Sequence, residues 1–379
     1  MKEVIIHIGL HKTGSTAIQL ALRHYRDDTT RYACFTEQNH SIPMCTIFAK
    51  NIKSHHFYKN WAISEKQIKK RKKIFKAELE YDLNDPSLQQ LIISGEDISS
   101  LDADDKIKML NFFKLHNWNC KILCFVRNQI EWAASAASTI IELSENPKNL
   151  NINFKERLLP FIDNLGLQNV YVFDYSNLVK NNINLIDFVS KFLNIKLTTN
   201  KIKNESLSLE AIAIIFKLNN LPINFKGHQN YMLARKKLVE KIISFFALNK
   251  GFQKLDPLIF AGLVSKEIVE ENNQWLKKLF GIEYSFNAND YNNHQDISKY
   301  FEEVLNRNTE LLEEFFSDFK ISFNTSISLE QNLTNLFVNQ LEKITTFDLW
   351  ILFNWTIIRI IKKYILKFKI ILKIQNYFS

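Results

Sequence analysis

Four short, almost unbroken apolar runs constrain the fold of this chain most: Val4 to Gly9, Leu91 to Ser94, Ile122 to Val126 and Val170 to Phe173. Each has the length of a strand, and a strand that is apolar on both sides must be covered on both faces. Longer stretches of helical spacing separate them. The pattern predicts an α/β fold, a P-loop-type parallel sheet sandwiched by helices. In DFVSKFL (Asp187 to Leu193) and SLEAIAIIFKL (Ser208 to Leu218) apolar residues recur at helical spacing, so the second half turns mainly helical. A polar, turn-rich run, NANDYNNHQD (Asn287 to Asp296), marks a boundary. The expected organisation is a domain over 1–286, with its core sheet over about 1–200 and a helical part over about 201–286, then a helical C-terminal extension over 287–379. With 46% hydrophobic residues, a chain of 379 can build such a core.

The first apolar run leads into HIGLHKTGSTAIQ (His7 to Gln19), and a helix-like run, Thr16 to Arg23, leads out. A loop between strand and helix presents free backbone N–H groups at the positive end of the helix dipole, which suits a phosphate. Gly14 lets the chain turn, the hydroxyls of Thr13, Ser15 and Thr16 stand at the helix start, and Lys12 supplies a mobile counter-charge. Lys12 precedes Gly14, whereas the loop of nucleotide triphosphatases places its lysine after the second glycine. That order argues against a Walker-type ATPase.

This loop resembles the 5'-phosphosulfate loop of sulfotransferases that use 3'-phosphoadenosine 5'-phosphosulfate as donor. A second stretch, CFVRNQIEWAASAAS, places Arg127 at the end of a strand and Ser135 eight residues on, in the next helix. Its spacing is similar to that family's 3'-phosphate site, where a guanidinium fork and a hydroxyl clasp one phosphate from two sides. NVYVFDYSNL resembles the family's strand followed by a tyrosine-containing turn, which would place Tyr175 near the adenine. NESLSLEAIAIIFKLNN and ENNQWLKKLFG resemble bacterial carbohydrate-type members and carry the likeness to about residue 285.

The resemblance implies a sulfonate transfer to a hydroxyl, with a carbohydrate or glycolipid as the acceptor and no metal required. Lys12 is then expected to neutralise the leaving oxygen, helped by the N–H groups of Gly14 to Thr16. For the base, LIISGEDISS puts Glu96 just beyond a strand end, where this type of sheet binds its ligands. Asp97 is the adjacent alternative, and His11 could reach the reacting oxygen from within the loop. Two other readings stay open: a P-loop small-molecule kinase, which would need ATP, magnesium and an acidic metal ligand, and a non-catalytic nucleotide-binding or membrane-docking protein.

The net charge of +9 comes from 49 basic and 40 acidic residues, but Trp355 to Ser379 alone holds Arg359, Lys362, Lys363, Lys367, Lys369 and Lys373 and no acid. With the excess concentrated there and no recognition motif, a nucleic-acid partner is not expected. Apolar residues recur at helical spacing through 347–373, yet the uncharged part is about half of the roughly 20 residues a membrane span needs. Peripheral association with an anionic membrane surface is one expectation for it, packing on the protein's own core or on a partner the other. The basic stretch in SEKQIKKRKKIFKAELEY (Ser64 to Tyr81) reads as a solvated helix face or as a surface that steers an anionic acceptor or the nucleotide, and Arg235 to Lys237 as a nucleotide lid or an exposed face. Cys34, Cys45, Cys120 and Cys124 lack zinc-ligand spacing, and strand geometry puts Cys120 and Cys124 about 13 Å apart, too far for a disulfide. Reduced, buried thiols and an N-terminal run that ends in the loop suit a cytoplasmic protein, peripheral on the inner face of the membrane if the tail docks there.

Overall fold

In the computed structural model, residues 2–60, 63–198, 206–221, 231–247, 250–285 and 296–343 are described. The tail at 347–373 and, apart from Asp296, the expected boundary run lie outside them. The apolar runs form strands β1 (Glu3–His7), β3 (Gln90–Ser94), β4 (Asn119–Val126) and β5 (Val170–Asp174), each within a few residues of its predicted limits. A fifth strand, β2 (Thr30–Tyr32), pairs with Gln90 to Ile92 at the edge; three residues with a central arginine carry no strand periodicity to read. All pairings are parallel, in the order β2-β3-β1-β4-β5. Ile6 of β1 lies opposite Ile93 on one side and Ile122 on the other, which makes β1 central.

The chain turns from β1 toward β3 on one side and β4 on the other, so the C-terminal ends of β1 and β4 border a topological switch point. Crevices at such points are where open α/β sheets bind ligands.

Helices α1 (Ser15–Leu22), α2 (Ser41–Phe48), α3 (His56–Asn60), α4 (Glu65–Leu83), α5 (Ala103–Leu115), α6 (Gln129–Glu142), α7 (Phe154–Leu165), α8 (Tyr175–Lys180) and α9 (Leu185–Leu193) occupy the first half of the chain. Ile18 and Leu22 of α1 and Ile186, Val189 and Leu193 of α9 share a core cluster with Ile5, Leu123 and Phe125 of the sheet. Helices α5 and α7 pack against β4, with Phe113 and Phe161 fully buried. Each such side chain contributes about 1.5–3 kcal/mol by leaving water. Helix α4 opens on a capping box between Ser64 and Gln67 and buries Ile68, Phe75 and Leu79, while Lys66, Lys69, Lys70 and Lys73 are exposed.

The rest of the described chain contributes α10 (Leu209–Asn219), α11 (Tyr231–Phe245), α12 (Lys266–Phe280), α13 (Ile297–Asn306), α14 (Thr309–Asp318) and α15 (Leu329–Glu342). Two compact units emerge. One is drawn from Met1–Asn128, Ile152–Lys203 and Glu267–Ser285 and holds the sheet; the other is drawn from Gln129–Asn151, Asn204–Lys266 and Phe286–Ser379 and is helical in its described residues. In the helical unit, Lys217 of α10 reaches Glu302 at 3.0 Å and Glu330 at 3.4 Å.

Two expectations are corrected. Arg235 is neither a lid nor an exposed residue: it is buried and donates to the carbonyls of Glu142 (2.8 Å) and Ile141 (3.2 Å), closing the C-terminal end of α6. A helix end leaves four carbonyls without intrahelical donors, and a guanidinium fork satisfies two at once. Cys34 is exposed, unlike the other three cysteines, and all four are free thiols. Among the described residues no helix is long and apolar enough to cross a membrane.

Candidate functional site

Between β1 and α1 the chain passes through two left-handed residues, Lys12 (φ 69°) and Gly14 (φ 81°). Gly14 is the N-cap of α1, no side chain caps the helix, and no acidic residue stands in its first turn. The leading N–H groups of a helix have no acceptor within it, so those of Ser15 and Thr16 are available to an anion. A Cβ on Gly14 would run into Leu185 and Tyr175, and one on Gly9 into Ser15 Oγ and the His7 ring. The turn thus depends on glycine for conformation at one point and for close approach at both.

The loop hydroxyls differ in what they can do. Thr13 is fully buried and donates to the Leu10 carbonyl at 2.5 Å, so its hydroxyl braces the loop. Ser15 Oγ is buried with no hydrogen-bond partner among the described residues, and Thr16 is exposed. Beneath them His7 is buried, its Nδ1 2.8 Å from Ser94 Oγ, and burial pushes its pKa down to about 3. The neutral ring is therefore part of the floor.

Arg127 follows directly after β4. Its Nη1 donates to the Lys12 carbonyl at 3.3 Å, and its guanidinium lies 5.7 Å from the centre of the Tyr175 ring, at the start of α8. Asn128 N–H donates to Ser176 Oγ at 3.2 Å, and Tyr284 Oη donates to Asp174 at 2.9 Å, which hold the β5–α8 corner. Three stretches of sequence, around 12, 127 and 175, therefore meet at the ends of β1, β4 and β5. Ser135 lies half-buried in α6, in the helical unit, where its carbonyl accepts from Thr139 Oγ1 at 3.3 Å.

Glu96 and Asp97 open a 3₁₀ turn, Glu96–Ser100, at the end of β3. His11 stands between them, with Nδ1 3.3 Å from Glu96 Oε2 and Nε2 3.3 Å from Asp97 Oδ1. Hydrogen bonding to Asp97 and then to Glu96 pushes the His11 pKa up to about 9, against the effect of burial. Burial raises the Asp97 carboxyl, but His11 and His55 outweigh it and hold the group well below the usual carboxylate range. At neutral pH His11 is an imidazolium held between the two acidic side chains.

These groups open onto a cavity of about 360 Å³ whose wall includes His11, His55, His56, Asp97, Asp102 and Asp105. The sequence reading missed His55, His56, Asp102 and Asp105, because a cavity wall assembled from segments some forty residues apart leaves no spacing to recognise. His55, His56 and Asp97 each place a possible ligand atom within 4.8 Å of one another. Phe57 N–H donates to His55 Nδ1 at 3.3 Å, so the neutral ring carries its proton on Nε2, the atom 3.3 Å from Asp97 Oδ2. A metal on that nitrogen would require the other tautomer, so the contact fits an imidazole facing a carboxylate better than a ligand set.

No protein-family model matches this chain, and no curated protein matches its sequence. Among solved structures it is similar to the crystal structure of a sulfotransferase from Alicyclobacillus acidocaldarius, at 11% identity and a TM-score of 0.37, over 63% of this chain and 96% of that one. A likeness of that degree carries no weight in the reading of the site.

Proposed function

We propose that this protein transfers a sulfonate group from 3'-phosphoadenosine 5'-phosphosulfate to a hydroxyl of a carbohydrate or glycolipid acceptor. The observation that carries the reading is the meeting of Arg127 with the Lys12 loop, 3.3 Å apart across 115 residues of sequence, beside an uncapped helix N-terminus. Such a corner offers an anion-binding N–H cluster and a guanidinium side by side, which suits a nucleotide carrying phosphates at both its 5' and 3' positions.

In this reading the 5'-phosphosulfate sits on the N–H groups of Gly14 to Thr16 with the Lys12 ammonium beside the bridging oxygen, Arg127 takes the 3'-phosphate, and Tyr175 lies near the adenine. The acceptor oxygen attacks sulfur in line, the bond from sulfur to the bridging oxygen breaks, and the nucleotide bisphosphate departs with the negative charge that Lys12 stabilises. The hydroxyl proton passes to Glu96, with His11 and Asp97 as the adjoining proton-holding groups. No step calls for a metal.

Calorimetric titration of the full chain with 3'-phosphoadenosine 5'-phosphate, ADP and ATP, all without magnesium, tests the reading. Tight binding of the bisphosphate alone, weakened by about 10-fold or more in Arg127→Ala, is the expected result. Equal or better binding of ATP, improved further when the ATP titration is repeated with magnesium, overturns it in favour of a kinase.

A further inference from the structure

Helix α4 carries a charge pattern that the site does not use. Between Lys66 and Lys76 there are seven basic residues and no acidic one. Lys66, Lys69, Lys70, Lys73 and Lys76 recur at spacings of three and four, so they line one side of the helix for about 15 Å. All five are exposed, on the side away from the buried Ile68, Phe75 and Leu79. The acids of the helix reach only the ends of this stripe: Glu80 pairs with Lys76, Glu65 faces Lys53 with Lys69 farther off, and Glu78 and Asp82 are buried. Among the described residues no carboxylate oxygen comes within 4 Å of Lys66, Lys69, Lys70 or Lys73. Like charges one turn apart, as Lys66 with Lys70 and Lys69 with Lys73, weaken a helix, whereas a merely solvated face gains from alternating signs.

The positive field continues on α5. Burial first, then Lys108 of that helix, hold the Lys72 ammonium below its ordinary range, against the pull of Asp105, and Lys76 Nζ lies 5.9 Å from the centre of the Phe112 ring. Seven residues after Lys108, on the same side of α5, stands Leu115, at 81% the most exposed large apolar side chain among the described residues. An exposed leucine in lysine-rich surroundings suits the edge of a bilayer, where an apolar group sinks to the acyl boundary and ammonium groups stay among the headgroups. We infer that this α4–α5 face docks on an anionic bilayer surface, with the lysine stripe over headgroup phosphates and Leu115 at the interface. A polyanionic chain fits the face less well. Such chains are gripped by arginine forks, and the one arginine of the stretch, Arg71, turns to the protein, 5.3 Å from the centre of the Phe57 ring and 3.8 Å from Glu37. Lysines spread along a convex helix instead sum their attraction to a flat charged surface. The inference stands apart from the sulfonate-transfer reading.

The test is co-sedimentation of the full chain with vesicles of phosphatidylcholine alone and of phosphatidylcholine mixed with phosphatidylglycerol. Binding is expected to the anionic vesicles only, and to fade as sodium chloride approaches about 1 M, where the screening length is about 3 Å. A variant combining Lys66→Gln, Lys69→Gln, Lys70→Gln and Lys73→Gln should bind about 100-fold or more weaker, since each cation near such a surface is worth about 5-fold. Glutamine keeps the helix propensity, and circular dichroism checks that the variant is folded. Leu115→Ser should weaken binding by a smaller factor and leave its salt dependence unchanged. Because the segment from Trp355 to Ser379 is also basic and free of acids, the comparison is repeated with Lys362, Lys363, Lys367 and Lys369 replaced by glutamine, and the loss caused by the α4 substitutions should persist. The inference is overturned if the chain does not bind anionic vesicles, if it binds neutral ones equally, or if the α4 variant binds as the parent does. Vesicle binding unmoved by the α4 substitutions, with retention on a heparin column reduced by them, would overturn it in favour of a polyanionic partner.

Discussion

The Nη1 of Arg127 donates to the main-chain carbonyl of Lys12 at 3.3 Å, which fastens the end of β4 to the loop that follows β1. An arginine in this position limits where the loop can go and, in the proposed function, also presents a charge to the ligand. Arg127→Lys keeps the charge but loses the fork. Bisphosphate affinity should fall by about 10-fold or more in Arg127→Ala, as for a lost charge-assisted hydrogen bond, and by less in Arg127→Lys. Calorimetry of the three proteins checks the order; equal affinities would contradict it.

Gly9→Ala should destabilise the protein although the position has ordinary φ. The added methyl meets Ser15 Oγ and the His7 ring, both in the floor of the loop. Overpacking of this kind costs about 1–3 kcal/mol, read as a shift in the midpoint of urea unfolding. Unchanged stability would mean that the floor yields.

His11 titrates near 9 because Asp97 and Glu96 favour its charged form. Its folded pKa lies above the ordinary value of 6.5, so its contribution to stability is fully present below about 6.5 and is lost as pH rises through about 9. Asp97→Asn removes one of the two carboxylates. The His11 ring resonances, followed by NMR, should then titrate at lower pH than in the parent, and the loss of stability between 6.5 and 9 should diminish. A His11 titration unmoved by the substitution would show that Glu96 alone sets it.

Lys106 behaves in the opposite sense. It is 3% exposed, with Nζ 5.5 Å from the centre of the Phe161 ring, and burial first, then the charge of Arg157, push its pKa down to about 8. Below pH 8 the ammonium is charged in both folded and unfolded chains and its burial is unfavourable; between 8 and 10.5 the folded state sheds the proton first, so stability rises with pH. Lys106→Met keeps the stem and removes the charge. Unfolding at pH 7 should show a gain of about 1–3 kcal/mol, by the relation of one pKa unit to about 1.4 kcal/mol, and the rise above pH 8 should flatten. A loss of stability at pH 7 would mean that the ammonium has a favourable partner.

By itself the sequence determined the sheet. Val4 to Ile8 and Ile122 to Val126 are apolar without interruption, and the only arrangement that removes both faces of such strands from water is a sheet covered on each side, as β1 and β4 are. The turn at Lys12 to Thr16 was legible for a similar reason: glycine, small hydroxyls and a lysine at a strand-to-helix junction are local chemistry, and local chemistry is written contiguously. What only the tertiary structure decided is what faces what. Arg127 comes to the Lys12 carbonyl because β4 lies beside β1 in the sheet order, which no run of residues encodes, and β2 was invisible because three edge residues need no pattern to pair. Arg235 reads as one of three surface cations in sequence, yet the orphan carbonyls at the end of α6 draw it inside. The cavity shows the same limit: His11, His55 and Asp97 come from a loop and two turns, and the contact of both imidazoles with one carboxylate exists only once the chain has folded.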